Sequence, residues 1–200
     1  LTTEQGMTKK TALSEYNSVK AHGLIGITLK EDDQLIGAKI VTDEDEVIIS
    51  TRNGLAIRFS TSDVRPMGRT AQGVRGINLG SKDQVIDMDV VRENADLLVV
   101  TENGYGKRTP ISEYRSQRRG GKGIQTIRPS KRNGKVAGIK MVRPEDDVML
   151  ITAEGIAIRM AVSDISQMGR STKGVTLMNL DENDTVVALA RVAQKEEKLR

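Results

Sequence analysis

Short runs of aliphatic and β-branched residues recur along the chain, each bounded by charged residues or glycine. Three of them are DEVIIST at Asp45–Thr51, ADLLVVT at Ala95–Thr101 and DVMLIT at Asp147–Thr152. Runs of this length and composition are typical of β-strands. Asn53-Gly54 and Asn103-Gly104 follow two of the runs, where glycine would supply the positive φ of a tight hairpin turn. The pattern therefore predicts an all-β chain built from hairpins.

The strand pattern repeats about every fifty residues. One phrase recurs as EQGMTKKT, RNGLAIRF, ENGYGKRT and AEGIAIRM, and a second glycine marker follows it at Gly23, Gly73, Gly123 and Gly174. We predict four repeats of four strands each, with bounds 1–41, 42–91, 92–142 and 143–192. In the third repeat the predicted strands are Asp96–Thr101, Tyr105–Thr109, Gly123–Ile127 and Val136–Val142.

Four-stranded units at this period favour blades around an axis, because a sheet buries both faces only by stacking on its neighbours. Two β-sandwiches of two repeats each are the alternative. Aligning Gly6 with Gly104 places Leu1 opposite Val99, within a strand. We therefore expect either a further repeat upstream or a strand supplied by another segment. Residues 193–200, AQKEEKLR, are predicted to form a charged tail.

The composition excludes several functional classes. The chain has 200 residues, 37% hydrophobic and 2% aromatic, so its core must be aliphatic. It contains no cysteine, which excludes disulfides and thiolate metal sites. It has no long apolar run, so we expect no contact with a membrane. Because it has neither cysteine nor a signal-peptide pattern, we expect a cytoplasmic location. His22, the one histidine, is expected to be a surface residue.

Basic residues concentrate in the third repeat. The sequence from Asn103 to Lys140 contains a single acidic residue, Glu113, whereas acidic residues cluster at Asp43–Glu46 and Glu145–Asp147. Such segregation favours a polyanion-binding face on one side or an outer rim. The cations of this span are Lys107, Arg108, Arg115, Arg118, Arg119, Lys122, Arg128, Lys131, Arg132, Lys135 and Lys140.

The motif QRRGGKG at Gln117–Gly123 combines cations with glycines. Arginine and lysine neutralise phosphates, and glycines let backbone N–H groups approach phosphate oxygens. The shortage of aromatic residues disfavours single strands and RNA, which proteins grip by stacking. We therefore predict binding of duplex DNA through its backbone, with little sequence preference.

QRRGGKG resembles the gyrase-A box, the signature of the C-terminal domain of the DNA gyrase A protein. MGRTAQG at Met67–Gly73 and MGRSTKG at Met168–Gly174 are degenerate versions, and NSVKAHG at Asn17–Gly23 occupies the same place in the first repeat. The resemblance covers residues 1–192. It implies a β-pinwheel, a propeller-like domain of six blades with a basic rim that wraps DNA, of which this chain resembles the last four. The family's box usually lies in the first blade, whereas the full match here is in the third repeat.

The resemblance also implies partners and a role. The parent would be a bacterial type II topoisomerase, a heterotetramer of two A and two B subunits that adds negative supercoils and uses ATP and Mg²⁺. No cofactor, catalytic residue, metal or small-molecule substrate is expected in this chain. Tyr16, Tyr105 and Tyr114 fall at positions that are apolar in other repeats, so we expect them to pack rather than react.

The predicted DNA-binding residues follow from the motif and the neighbouring charge. The first rank is Arg118, Arg119 and Lys122, with Gln117, Gly120, Gly121 and Gly123 forming the loop. Further contacts are expected from Lys107, Arg108, Arg128, Lys131, Arg132, Arg69 and Arg170, and Arg58 and Arg159 occupy related places. The alternatives are the equivalent C-terminal domain of topoisomerase IV, whose boxes are eroded, and a propeller that binds an acidic protein. A hydrolase would need a site of histidine or carboxylates that the sequence does not offer.

Overall fold

A computed structural model describes residues 1–18 and 23–192. His22 and the predicted charged tail at 193–200 lie outside the described residues. The described part contains fifteen strands, four short 3-10 helices and no α-helix, which confirms the predicted all-β class. No helix in that part is long and apolar enough to cross a membrane.

The chain divides into two compact units. The first comprises Leu1–Val91 with Tyr114–Ile124, and the second comprises Arg92–Glu113 with the residues from Gln125 onward. The strands are β1 Thr2–Thr3, β2 Met7–Thr8, β3 Leu35–Gly37, β4 Glu46–Thr51, β5 Leu55–Ser60, β6 Val74–Arg75, β7 Val85–Val90, β8 Asp96–Thr101, β9 Tyr105–Pro110, β10 Ile124–Gln125, β11 Val136–Val142, β12 Asp147–Thr152, β13 Ala157–Ala161, β14 Val175–Thr176 and β15 Val186–Val192. The 3-10 helices are Leu13–Tyr16, Thr61–Asp63, Ile111–Glu113 and Val162–Asp164.

These strands form antiparallel sheets that share strands between repeats. The sheet orders are β3-β1-β2-β6, β10-β5-β4-β7, β11-β8-β9-β14 and, among the described residues, a three-stranded β13-β12-β15. The predicted antiparallel sheets are therefore confirmed. In the three four-stranded sheets, however, the short third strand of one repeat joins the sheet of the preceding repeat. The repeat pattern did not indicate this exchange.

The hairpin turns form as predicted. In β8–β9, Val100 pairs with Gly106, and Gly104 has φ +77° at the turn between them. The Gly104 N–H donates to the Thr101 carbonyl at 3.0 Å. Glycine suits this turn because a side chain is strained at positive φ.

Aliphatic side chains fill the interior of each unit. In the first unit Ile49, Ile57 and Phe59 are fully buried, and in the second unit Leu98, Val148 and Leu150 are. Fully burying one such side chain contributes about 1.5–3 kcal/mol. The small aromatic content is therefore no obstacle to a stable core.

The glycine that ends the box position in the second, third and fourth repeats lets the exchanged strand reach its neighbour. Gly73, Gly123 and Gly174 all have positive φ. A Cβ on them would lie 2.6–2.7 Å from the carbonyl oxygens of Thr8, Ala56 and Gly106 respectively. No side chain fits at that distance, so the strand exchange requires glycine at all three positions.

Gly174→Ala should destabilise the second unit more than Gly155→Ala does. Both glycines have positive φ, but nothing lies within 4 Å of a Cβ at Gly155. Gly155→Ala thus reports backbone strain alone, about 1–2 kcal/mol, whereas Gly174→Ala adds the collision with the Gly106 carbonyl. We expect a total loss of about 3 kcal/mol in urea unfolding. Equal losses would show that the close approach contributes nothing.

Candidate nucleic-acid interface

The QRRGGKG loop is a fixed element of the first unit. The Gln117 N–H donates to the Arg58 carbonyl at 2.9 Å, and the Gly120 N–H donates to the Gly76 carbonyl at 2.6 Å. The Asn78 N–H donates to the Gly121 carbonyl at 2.8 Å. Gly120 has φ +80°. These bonds hold the loop backbone against the strands beneath it.

The side chains of the loop face in different directions. Arg118 and Lys122 are exposed, and neither has a hydrogen bond or ion pair with another described residue. Arg119 is half-buried: its Nε donates to the Asp63 carbonyl at 2.9 Å and its guanidinium donates to the Arg75 carbonyl at 3.1 Å. The Nε2 atom of Gln117 is buried. The loop therefore offers two cations to solvent and uses the third as a brace.

The same brace occurs in the degenerate boxes. In the first unit Arg69 donates to the Ile25 carbonyl at 3.2 Å, and in the second unit Arg170 donates to the Gln125 carbonyl at 3.1 Å. Arg69, Arg119 and Arg170 occupy equivalent box positions, and their acceptors are also equivalent. These arginines share a structural role, because each ties its box to the preceding repeat. The sequence predicted them only as DNA contacts.

Two predicted contacts of the second unit are buried or half-buried. Lys107 is fully buried, and its Nζ donates to the carbonyls of Gly169 and Arg170. Arg108 pairs with Asp96 at 2.7 Å and donates to the Ile165 carbonyl at 2.7 Å. The prediction of Lys107 as a surface contact is corrected, because its ammonium is buried and bound to protein carbonyls. Arg108 stays a prediction, with a half-buried side chain that is partly engaged by Asp96 and the Ile165 carbonyl.

The other predicted cations of the second unit are exposed. Arg128, Lys131 and Arg132 lie on the segment before β11. Arg132 stacks on Tyr105, with 5.2 Å from its guanidinium carbon to the ring centroid, and its Nε donates to the Tyr105 hydroxyl at 3.0 Å. Arg128 and Lys131 therefore offer charge to solvent, while Arg132 has a partly fixed orientation.

Arg58 and Arg159, at the related places, form ion pairs. Arg58 pairs with Glu46 and also donates to the Tyr114 carbonyl at 3.2 Å. Arg159 pairs with Asp147 at 2.6 Å. Arg108 pairs with Asp96 in the same way. One arginine–carboxylate ion pair between adjacent strands therefore recurs in three repeats.

Sequence reasoning missed Arg75. This residue is exposed, and its side chain lies 3.9 Å from the position of a Cβ on Gly120. Its carbonyl oxygen accepts a hydrogen bond from the Arg119 guanidinium. Arg75 is the cation at a position where Ile25, Gln125 and Thr176 stand in the other repeats, and this difference is a signal that an alignment of the repeats could have used.

The described residues hold no clustered metal ligands. They contain no cluster of three or more His, Cys, Asp or Glu side chains that could hold a metal ion. Tyr114 is 1% exposed and packs in the core as predicted. Tyr16 and Tyr105 are half-buried, and the Tyr105 hydroxyl is bound to Arg132.

Burial lowers the pKa of the Lys107 ammonium. Removing its ammonium from water lowers the pKa from 10.5 to about 8, Glu113 opposes the change, and Arg170 adds to it. Burial also lowers the pKa of Lys9, the equivalent residue in the first unit, with a smaller contribution from Arg69. The folded state therefore binds the Lys107 proton less tightly than the unfolded state does.

Stability should rise with pH between about 8 and 10.5 through Lys107. In this window the unfolded chain keeps the proton that the folded chain has lost, so the free energy of unfolding increases with pH. Below about pH 8 both states are protonated and the contribution is constant. We expect Lys107→Met to flatten the pH dependence of the urea midpoint in this window, whereas Lys135→Met, at an exposed site, should not. Identical slopes in all three proteins would contradict this assignment.

Comparison with known proteins finds a matching family and relatives. A family model described as DNA gyrase C-terminal domain, beta-propeller, matches residues 1–42, 45–92, 95–143 and 146–193. The DNA gyrase A protein of Streptococcus pyogenes serotype M1 is 57% identical over 191 residues, which are 96% of this chain and 23% of the relative. The chain thus spans less than a third of the curated relative that it matches.

Solved structures show the same fold. A DNA gyrase A C-terminal domain has a TM-score of 0.89 and 31% identity, covering 96% of this chain and 64% of that chain. A C-terminal domain of DNA topoisomerase IV has a TM-score of 0.90 and 28% identity, covering 96% of this chain and 60% of that chain. The predicted resemblance and the propeller-like class are confirmed. Since the family model covers nearly all of its residues, the chain belongs to the DNA gyrase C-terminal domain, beta-propeller family.

Proposed function

We propose that this chain binds duplex DNA through the sugar–phosphate backbone and bends it. The observation that carries the proposal is the QRRGGKG loop, where exposed Arg118 and Lys122 project from a backbone fixed by hydrogen bonds. A fixed loop loses little conformational freedom when its cations meet phosphates, so more of the electrostatic gain remains as affinity.

Arg75 extends the proposed contact surface of the first unit. Its side chain lies beside Gly120 and is exposed, so it adds a third cation to Arg118 and Lys122. Within the second unit, Arg128 and Lys131 are the proposed contacts. Arg69, Arg119 and Arg170 contribute mainly by holding their loops, although a guanidinium has five donors and the brace leaves some of them for phosphate.

Bending DNA requires many such contacts. Smooth bending of a 20–30 base-pair site by 40–90° costs on the order of 1–6 kcal/mol. Backbone contacts that are not sequence-specific can offset this cost, because each neutralised phosphate releases counterions. Boxes that recur along the chain provide candidate contacts in successive repeats, so their contributions can add.

In the parent protein we infer that this wrapping supports negative supercoiling. The curated relative is a DNA gyrase A protein, and the proposed assembly is the heterotetramer of two A and two B subunits in the bacterial cytoplasm, at the chromosome. The reaction and its ATP hydrolysis would reside elsewhere in that assembly. The topoisomerase IV domain has an equally similar fold, but the intact QRRGGKG motif favours gyrase.

Arg118→Ala with Lys122→Ala should weaken duplex binding and flatten its salt dependence. Each lost phosphate contact lowers the slope of log K against log salt concentration by about 0.9, so we expect a loss of nearly two units. The measurement is the affinity for a duplex of random sequence, by fluorescence anisotropy, at several salt concentrations.

Lys30→Ala with Lys82→Ala is the matched control. Both lysines are exposed in the first unit and lie beside acidic residues. Each double variant removes two positive charges, so the net charge changes equally in the test and the control. The control slope should stay near that of the unaltered protein. If both pairs reduce the slope equally, binding reflects net charge rather than the box loop. If the unaltered chain does not bind DNA, the alternative of an acidic protein partner gains support.

A further inference from the structure

Two buried lysines lie directly beneath the degenerate box loops. Lys9 is 3% exposed and Lys107 is 0% exposed, and each follows its hairpin glycine by three residues. In the first unit the Lys9 Nζ donates to the Arg69 carbonyl and, at 2.6 Å, to the Gly26 carbonyl. In the second unit the Lys107 Nζ donates to the Gly169 carbonyl and, at 2.7 Å, to the Arg170 carbonyl. Each ammonium therefore holds the backbone of the degenerate box in the following repeat.

The QRRGGKG loop is held in a different way. Ile57 occupies the place of the lysine beneath it, and a Cβ on Gly121 would lie 3.5 Å from Ile57 Cδ1. Here the Gly120 N–H donates directly to the Gly76 carbonyl. Gly76 is the equivalent of Gly26, whose carbonyl Lys9 binds in the first unit. Beneath the Met67–Gly73 box, a lysine bridge between the Gly26 and Arg69 carbonyls thus takes the place of this direct N–H···O bond.

This difference fixes which way the central peptide of each loop points. In a trans peptide the C=O and N–H bonds point in opposite directions, and the described residues contain no cis peptide. Because the Arg69 and Arg170 carbonyls point inward to lysine, the N–H groups of Thr70 and Ser171 point outward. Because the Gly120 N–H points inward, the Arg119 carbonyl points outward.

The residue types agree with these orientations. The inward N–H of Gly120 comes with φ +80°, which glycine adopts without strain, whereas Thr70 and Ser171 are not among the described residues with positive φ. Thr70 and Ser171 are exposed. Neither of their N–H groups donates to another described residue.

We propose that Thr70 and Ser171 each form a phosphate-binding site on the duplex, through an outward backbone N–H and the adjacent hydroxyl. Lys9 and Lys107 are the positioning residues that keep the N–H outward, and the buried cation favours an anion above it. This inference rests on the proposed function, because its ligand is a phosphate of the bound DNA. In the second unit the Glu113 carboxylate accepts the Arg170 N–H at 3.3 Å, so we expect tighter binding at Thr70 than at Ser171.

Neutral donors give a signature that cations do not. A hydrogen bond from an amide or hydroxyl adds affinity without displacing a counterion from the duplex, so it leaves the salt slope unchanged. Thr70→Ala with Ser171→Ala should reduce affinity about threefold to tenfold per hydroxyl at an unaltered slope. Ser81→Ala, an exposed hydroxyl in another turn, is the control and should leave the affinity unchanged.

Amide NMR of the full chain tests the geometry directly. Without DNA, the Gly120 amide should exchange with solvent at least tenfold more slowly than those of Thr70 and Ser171. On addition of a short duplex of random sequence, the Thr70 and Ser171 amide protons should move downfield while Gly120 stays in place. Lys9→Met should abolish the response at Thr70 alone and Lys107→Met the response at Ser171 alone, with Ile57→Met as the control.

The outcomes separate this inference from the proposed function. If the Thr70 and Ser171 amides are protected, or do not respond to a duplex that Arg118 and Lys122 still bind, the inference is wrong and the proposed function stands. If no duplex binds, the proposed function fails and this inference fails with it. If either lysine variant does not fold, the amide responses of the unaltered chain still decide the matter.

Discussion

The close approach of three glycines to neighbouring backbone is the constraint on which this structure depends. At Gly73, Gly123 and Gly174 the chain passes so near a carbonyl of the preceding repeat that a Cβ would overlap it. This passage lets a two-residue strand complete the preceding sheet. It also places each box loop directly over that sheet, where an arginine brace or a buried lysine can reach it. The loop position and the sheet edge are therefore specified by the same residue.

The box loops meet two demands with one backbone. They must be held firmly enough to present charge in a fixed place, and they must leave cations in solvent. Different residues of the QRRGGKG loop meet the two demands. Arg119 binds backbone carbonyls and Gly120 adopts the positive φ of the turn, while the Arg118 and Lys122 side chains are exposed to solvent. In the degenerate boxes Gly68 and Gly169 replace the projecting arginine, and one of the two boxes keeps an exposed cation, Lys173, at the position of Lys122. Backbone and hydroxyl groups therefore make up more of the available donors there. We infer that the repeats contact DNA by different chemistry although they share one fold.

Much of the fold follows from the sequence, because its signals are local. The spacing of Gly54, Gly104 and Gly155 locates the hairpins, and the aliphatic runs locate the longest strands. The exchange of strands was not predictable in the same way, since Val74–Arg75 and Val175–Thr176 are too short to show a period. The burial of Lys107 was also hidden, because a lysine beside an arginine suggests a surface position until the carbonyls around it are known. The candidate loop was found from its motif, but the brace made by Arg119 depends on contacts with Asp63 and Arg75 that are far away in sequence.

The central claim is that these loops bind the duplex and bend it, and DNA topology tests that claim most directly. A closed circular plasmid would be relaxed by a nicking-closing enzyme in the presence of increasing amounts of this chain, and its linking number measured after the protein is removed. The account predicts a shift of the linking-number distribution, in one direction, that grows with the amount of bound protein. Binding without any shift in linking number would contradict wrapping and leave a surface that only holds DNA.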